Sequence, residues 1–175
     1  VFGVSVDRVR VMATATDKVP NTSATAASSG SDLNGEAVKR ACETIRGRMV
    51  AKACEWWSCA SDMVEFGHGN VWAGEQSLSL GAFAERCWAE QVSLSSTGYY
   101  ATPWIHYDPK KGRGNPFFYF AYGAAVAEVE VDGRTGQSHI RRVDILHDVG
   151  DSLIPTIDLG QVEGGFVQGA LPAQN

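Results

Sequence analysis

A run of small, hydroxyl-rich residues, Val19-Pro20-Asn21-Thr22-Ser23-Ala24-Thr25-Ala26-Ala27-Ser28-Ser29-Gly30-Ser31-Asp32-Leu33-Asn34-Gly35, leads straight into a helical pattern. No bulky side chain stands between its backbone N–H groups and a ligand. The hydroxyls add neutral donors, and the first turn of the following helix adds N–H groups that carry partial positive charge. Such a tract suits an anionic, phosphate-bearing or oxo-bearing group. It also serves as an ordinary capped loop before a helix, and the residues alone leave the two readings about level.

The helix that follows has Ser31 or Asp32 as its expected cap. Its apolar face reads Val38, Ala41, Cys42, Ile45 and Met49, and Lys39, Arg40 and Arg46 lie mostly opposite. Upstream, Val9, Val11 and Ala13 alternate with Arg10, Met12 and Thr14, which predicts a strand with one buried face. Downstream, Gly67-His68-Gly69 predicts a hairpin turn between Met63–Phe66 and Asn70–Trp72. Trp56-Trp57 reads as packing. Leu80 to Gln91 reads as a helix with Phe83, Cys87 and Trp88 inward. Val92 to Ala101 is strand-like, Pro103 to Asn115 a surface loop, and Phe117 to Tyr122 strongly β-prone. Ala127, Val129 and Val131 alternate with acids up to the turn at Asp132–Gly136. The return strand runs from about Ser138 to His147, setting Glu128 and Glu130 opposite Arg141 and Arg142. The order predicts an α+β fold, with helices packed on a mostly antiparallel sheet.

The last helical pattern has Thr156 or Asp158 as its expected cap. It carries Gly160, Gly164, Gly165 and Gly169. Each glycine costs a helix roughly 1 kcal/mol against alanine. The helix therefore calls for something close to its backbone: another helix, a strand or a cofactor. Gln161 on the same helix offers two donors and an acceptor, which suits a heteroatom-rich ring or an oxo group.

Composition removes several classes. With 15 basic and 20 acidic residues the net charge is −5, and no basic stripe marks a nucleic-acid surface. No apolar run approaches a membrane span. The four cysteines, Cys42, Cys54, Cys59 and Cys87, form no Cys-x-x-Cys pair and have no histidine at zinc spacing. They read as reduced thiols of a cytoplasmic protein. There is no phosphate loop, dinucleotide fingerprint or nucleophile elbow. His147-Asp148 does not make a triad, because neighbours on a strand point to opposite faces. No acid, base or nucleophile stands out, so no catalytic residue is assigned.

Thr16 to Gly35 closely resembles the molybdopterin-binding portion of the xanthine dehydrogenase family of molybdenum hydroxylases. The likeness continues in Ser93-Leu94-Ser95-Ser96-Thr97-Gly98-Tyr99-Tyr100, in Gly114 to Gly123 and in Asp158 to Gly169. The resemblance implies a molybdenum–molybdopterin cofactor, with 2Fe-2S clusters and FAD in other domains or subunits. It implies hydroxylation of purines (hypoxanthine, xanthine) with water-derived oxygen. It places Ala26, Ala27, Ser28, Ser29 and Gly30 in the cofactor cradle, Ala27 nearest the metal, with Gln161 contacting the cofactor from the last helix. The expected partners are the rest of the molybdenum-binding subunit and an iron–sulfur/FAD subunit. The family's catalytic glutamate lies in a Gly-Glu-Pro-Pro block, and residues 1–175 contain none. The chain is expected to be a single piece of the molybdopterin-binding domain, inactive alone. Its last helix and the Phe117–Tyr122 segment are expected to pack on segments outside residues 1–175. An aldehyde-oxidising relative and a non-catalytic folding or interaction module remain open as alternatives.

Overall fold

The computed structural model describes residues 1–18 and 29–170. They fall into two compact units, Val1–Pro103 and Trp104–Asn175, the second described as far as Ala170.

The first unit is built on α1 (Gly30–Trp57), 28 residues long. Its stretch of Ala, Glu, Lys and Arg favours helix throughout. The helix starts earlier than its expected caps: Ser29 is the N-cap, and Ser31 and Asp32 fall inside the first turn. Asp32 there complements the helix dipole. The apolar stripe works only in the second half. Met49, Val50 and Ala53 are buried and Ile45 packs against them, whereas Val38 is 63% exposed. The helix ends at Ser58, in the left-handed conformation (φ 50°). The Cys54 carbonyl there accepts from the amides of both Ser58 and Cys59, the closure of a Schellman-type end.

A three-stranded antiparallel sheet follows: β1 (Glu65–Gly67), β2 (Asn70–Ala73) and β3 (Gln76–Ser79), in that spatial order. Gly67 pairs with Asn70, leaving His68-Gly69 as a two-residue turn with φ of 48° and 75°. Both values are positive, as a type I′ hairpin requires, so the predicted turn stands where it was expected. Ser79 caps α2 (Leu80–Ala89), its hydroxyl accepting from the Ala82 amide at 3.2 Å. Phe83 and Cys87, one helical turn apart, are fully buried. Trp88 lies one position further round the helix and is 76% exposed, so only two of the three residues expected inward are inward.

Phe83 is the centre of this unit. Its ring lies 4.8 Å from Trp56, 5.6 Å from Trp57 and 6.5 Å from Phe66 (centroid to centroid), which ties α1, α2 and β1 together. The paired tryptophans are therefore packing residues, as read. Arg86 covers the other side of Trp56 at 3.9 Å, and Arg46 stacks over Phe66 at 4.9 Å instead of facing solvent. Beside them Lys52 bridges Glu55 (2.7 Å) and Glu90 (3.3 Å), and Arg86 reaches Glu90 at 3.4 Å. The Trp56 indole N–H meets no acceptor in full hydrogen-bond geometry. It nevertheless heads the causes that hold the Glu90 carboxyl below its ordinary value, followed by the Lys52 and Arg86 cations.

Residues 92–101 form no ladder, although a strand was expected. They run along α1, held by its side chains. Arg48 donates to the carbonyls of Ser93 (3.1 Å) and Ser95 (2.9 Å), and Arg40 donates to that of Tyr99 (3.3 Å) and stacks over Tyr100. Gly98 sits directly on the α1 backbone, where a Cβ would overlap the Ala37 carbonyl oxygen. The strand expected at Val9–Thr14 is also absent. Val11 is 89% exposed, and no partner strand among the described residues takes up that backbone.

In the second unit, the expected 103–115 loop is a small hairpin of β4 (His106–Asp108) and β5 (Arg113–Asn115). The Asp108 carboxylate accepts from the Lys110 and Lys111 amides and shapes its turn. Phe117–Tyr122 forms no strand, and its aromatic side chains are exposed. A ribbon of β6 (Gly123–Val131) and β7 (Ser138–His147) follows, as predicted, with a bulge at Glu128/Val129. Asp132 organises its turn by accepting from the Arg134 (2.7 Å) and Thr135 (3.3 Å) amides. Glu130 pairs with Arg141 as expected. The Arg142 guanidinium instead turns to Asp144 at 2.6 Å, although its backbone is in register with Glu128. The last described element is α3 (Pro155–Ala170). Among the described residues every strand pairing is antiparallel, which gives the expected α+β class, and the strands form three small sheets.

Two outcomes follow from the first unit. Phe83→Ala empties the centre of the aromatic cluster and is expected to cost about 3–5 kcal/mol, read as a lowered urea midpoint by tryptophan fluorescence. Glu90, with its folded pKa held below the ordinary 4.5, stabilises the fold above that pH and loses its contribution as pH falls through the range beneath it. Acid unfolding profiles of Glu90→Gln should therefore show a shallower stability loss below pH 4.5 than the parent chain.

Candidate functional site

The expected cradle divides into a described and an undescribed part. Ala26, Ala27 and Ser28, including the residue expected nearest the metal, lie outside the described residues. Ser29 and Gly30 are placed, half-buried, at the start of α1. Leu33 is the first amide bonded within the helix, to the Ser29 carbonyl at 3.1 Å. The amides of Gly30 and Ser31 therefore point out of the helix end, as geometry requires of a first turn. Gly30 adds no side chain to obstruct them. The hydroxyl tract thus runs directly into the positive end of a 28-residue helix, which suits an oxyanion or phosphate.

Gln161 lies in the first half of α3, in the second unit, and is exposed. Pro155 opens this helix at a position that needs no N–H donor. The Ile154 carbonyl accepts from Ile157 (2.9 Å) and Asp158 (3.2 Å). Thr156 and Asp158 are thus inside the first turn instead of capping it, and Asp158 accepts from the Ser152 hydroxyl. Positions 161, 164, 165 and 168 share a face at helical spacing. Two of them are glycine, so the Gln161 carboxamide stands beside almost bare backbone. A Cβ added at Gly160, Gly164, Gly165 or Gly169 would meet nothing within 4 Å. The close neighbour expected for these glycines is therefore not supplied by the described residues.

Each unit, taken by itself, offers neutral donors of the kind a pterin or an oxo group accepts. Main-chain N–H groups and a neutral carboxamide can recognise oxo and phosphate oxygens and ring heteroatoms. Among the described residues no group of three or more His, Cys, Asp and Glu side chains is placed to hold a metal ion. Also among them, no helix is long and apolar enough to cross a membrane. His68 and His106 occupy a turn and a hairpin strand. Reading the sequence set Arg40 on the polar face of α1 and gave no role to Arg48 or Gly98, although all three join α1 to segment 93–99.

Comparison with known proteins identifies the family. The family model described as molybdopterin cofactor-binding domain matches residues 1–170. The chain is 47% identical over 171 residues to xanthine dehydrogenase of Dictyostelium discoideum and 43% identical over 168 residues to that of Oryza sativa subsp. japonica. It is 42% identical over 166 residues to xanthine dehydrogenase/oxidase of Mus musculus. These alignments cover 95–96% of the chain but 11% of each relative.

Gly164→Ala and Gly165→Ala place a methyl group in open space, so each should favour α3 by about 1 kcal/mol. Far-UV circular dichroism of the 175-residue chain is expected to show increased helix for both.

Proposed function

We propose, on the premise that this chain belongs to the molybdopterin cofactor-binding domain family, that it supplies part of the cofactor cradle of a molybdenum hydroxylase acting on purines such as hypoxanthine and xanthine. The observation that carries this reading is the entry of a small, hydroxyl-rich tract into the N-terminal end of α1 at Gly30. The bound cofactor would supply the redox chemistry that places a water-derived oxygen on a purine carbon.

The residues of this chain bind and orient. Ala26, Ala27, Ser28, Ser29 and Gly30 offer main-chain donors and a low surface to the cofactor, with Ala27 nearest the metal. Gln161 offers its carboxamide from α3, and the adjacent glycines let a flat group lie against the helix. No residue here takes the role of general base, so the 175-residue chain alone is inactive. Residues 1–170 act together as one piece of the domain, a reading supported by the single family match that runs through both units. The chain spans 11% of the length of the relatives it matches. The rest of a molybdenum-binding subunit, with iron–sulfur and FAD-bearing parts, is accordingly its partner. The four free cysteines suit a reducing cytoplasm.

The intact polypeptide that carries this chain should contain molybdenum by elemental analysis and reduce a dye in the presence of hypoxanthine. Absence of both overturns the reading. Gln161→Ala in that polypeptide removes a hydrogen bond to a charged group, worth about 1.5–3 kcal/mol. It should lower retained molybdenum after dialysis by roughly tenfold or more with an unchanged thermal melt. Unchanged molybdenum content would remove Gln161 from the cradle.

A further inference from the structure

Two cysteines meet at the end of α1. Cys54 stands three positions before the last helical residue Trp57, and Cys59 is the second residue past it. Ser58 between them is left-handed, with φ 50° and ψ 43°. The Cys59 amide donates back to the Cys54 carbonyl at 3.3 Å, and the Ser58 amide donates to the same oxygen. A helix end closed in this way folds the residue after the left-handed position back over the final turn. The side chains at its two ends then come into contact, usually as an apolar pair. Here both ends of that contact are thiols. Both side chains pack, half-buried, against the edge of the Phe83 core.

We infer that Cys54 and Cys59 are a reversible thiol–disulfide site, oxidised by a small disulfide such as oxidised glutathione and restored by excess thiol. The Cys54 sulfur, as thiolate, attacks one sulfur of the glutathione disulfide. That S–S bond breaks, one glutathione leaves as thiolate and takes up a proton, and Cys54 is left as a mixed disulfide. Cys59 then loses its proton and its sulfur attacks Cys54 Sγ, expelling the second glutathione. Two protein thiols are oxidised, one glutathione disulfide is reduced to two glutathiones, and the new bond closes a six-residue ring across the helix end. Burial and the neighbouring Cys54 push the Cys59 thiol up, so exchange should accelerate with rising pH. The other two cysteines lack this partnership. Cys87 is fully buried behind Phe83, and Cys42 lies on a different part of α1.

The test is mass spectrometry of the intact polypeptide that carries this chain. It is incubated with oxidised glutathione, alkylated under denaturing conditions and digested with trypsin. Cys54 and Cys59 fall in one peptide, Ala53–Arg86. The expected product is that peptide unlabelled at Cys54 and Cys59 and lighter by two hydrogens, reverting to the doubly labelled form after dithiothreitol. In Cys59→Ser the second displacement is impossible, so glutathione should remain on Cys54 at about ten times the parent level or more. Full labelling of both cysteines after oxidation overturns the inference. So does a stable glutathione adduct on the parent chain, equal adducts in parent and Cys59→Ser, or a bond to Cys42 or Cys87. This inference does not depend on the cofactor assignment, and its readout does not use activity.

Discussion

The contact of the Phe83 ring with Trp56, Trp57 and Phe66 makes α1, α2 and the three-stranded sheet into one body. Each of these elements is too small or too polar to hold its shape alone. The strands have three or four residues, and α2 has ten. A large aromatic ring packed among three others is a major contribution to a small core. Arg86 and Arg46 then close the cluster with their planar faces. The buried core of the described residues, from Met49 to Cys87, surrounds this point. The position of α1, and with it the expected cofactor seat at its N-terminus, is referred to Phe83.

The second unit has the opposite economy. Its ribbon is exposed along β6 and along nearly all of β7, and α3 has no buried residue. A two-stranded ribbon of this kind is marginal in water without a layer packed on it. Val126, Leu146, Ile157, Leu159 and the Phe117–Tyr122 aromatics are exposed. A contiguous apolar surface of this kind is a feature of interaction faces. The glycines of α3 belong to the same picture. They weaken the helix by itself and keep its surface flat beside Gln161.

Reading the sequence was most successful where local chemistry decides the outcome. His68-Gly69 and Asp132–Gly136 are turns because only a few residue types accept those backbone angles, and α1 and α2 follow from propensity and spacing. It failed where a partner decides. Phe117–Tyr122 has high β propensity, yet that propensity measures fit to a neighbouring strand and a half-buried face, and Pro116 precedes a segment with neither. Val9–Thr14 alternates correctly and finds no ladder. β3 escaped notice because Gln76–Ser79 is polar and its turn, Gly74-Glu75, carries one weak signal. The candidate site was legible in part. Gly30 and Ser29 stand at a helix start as the tract implied, and Gln161 is exposed on a helix. The interactions of Arg40 and Arg48 with segment 93–99 were invisible, because backbone carbonyls leave no mark in the side-chain pattern.

That segment has a mechanical consequence for α1. From Gly30 to Ile45, the first residue packed on the core, the helix rises about 22 Å. Without lateral support it would project as a cantilever, clamped at one end. Gly98 resting on Ala37, with Arg40 and Arg48 clasping the same strap, moves the clamp to within about 10 Å of Gly30. The span of helix left without a lateral contact is thereby roughly halved. The start of α1 thus leans on an irregular, serine-rich strap that is itself anchored to the aromatic core through Leu94.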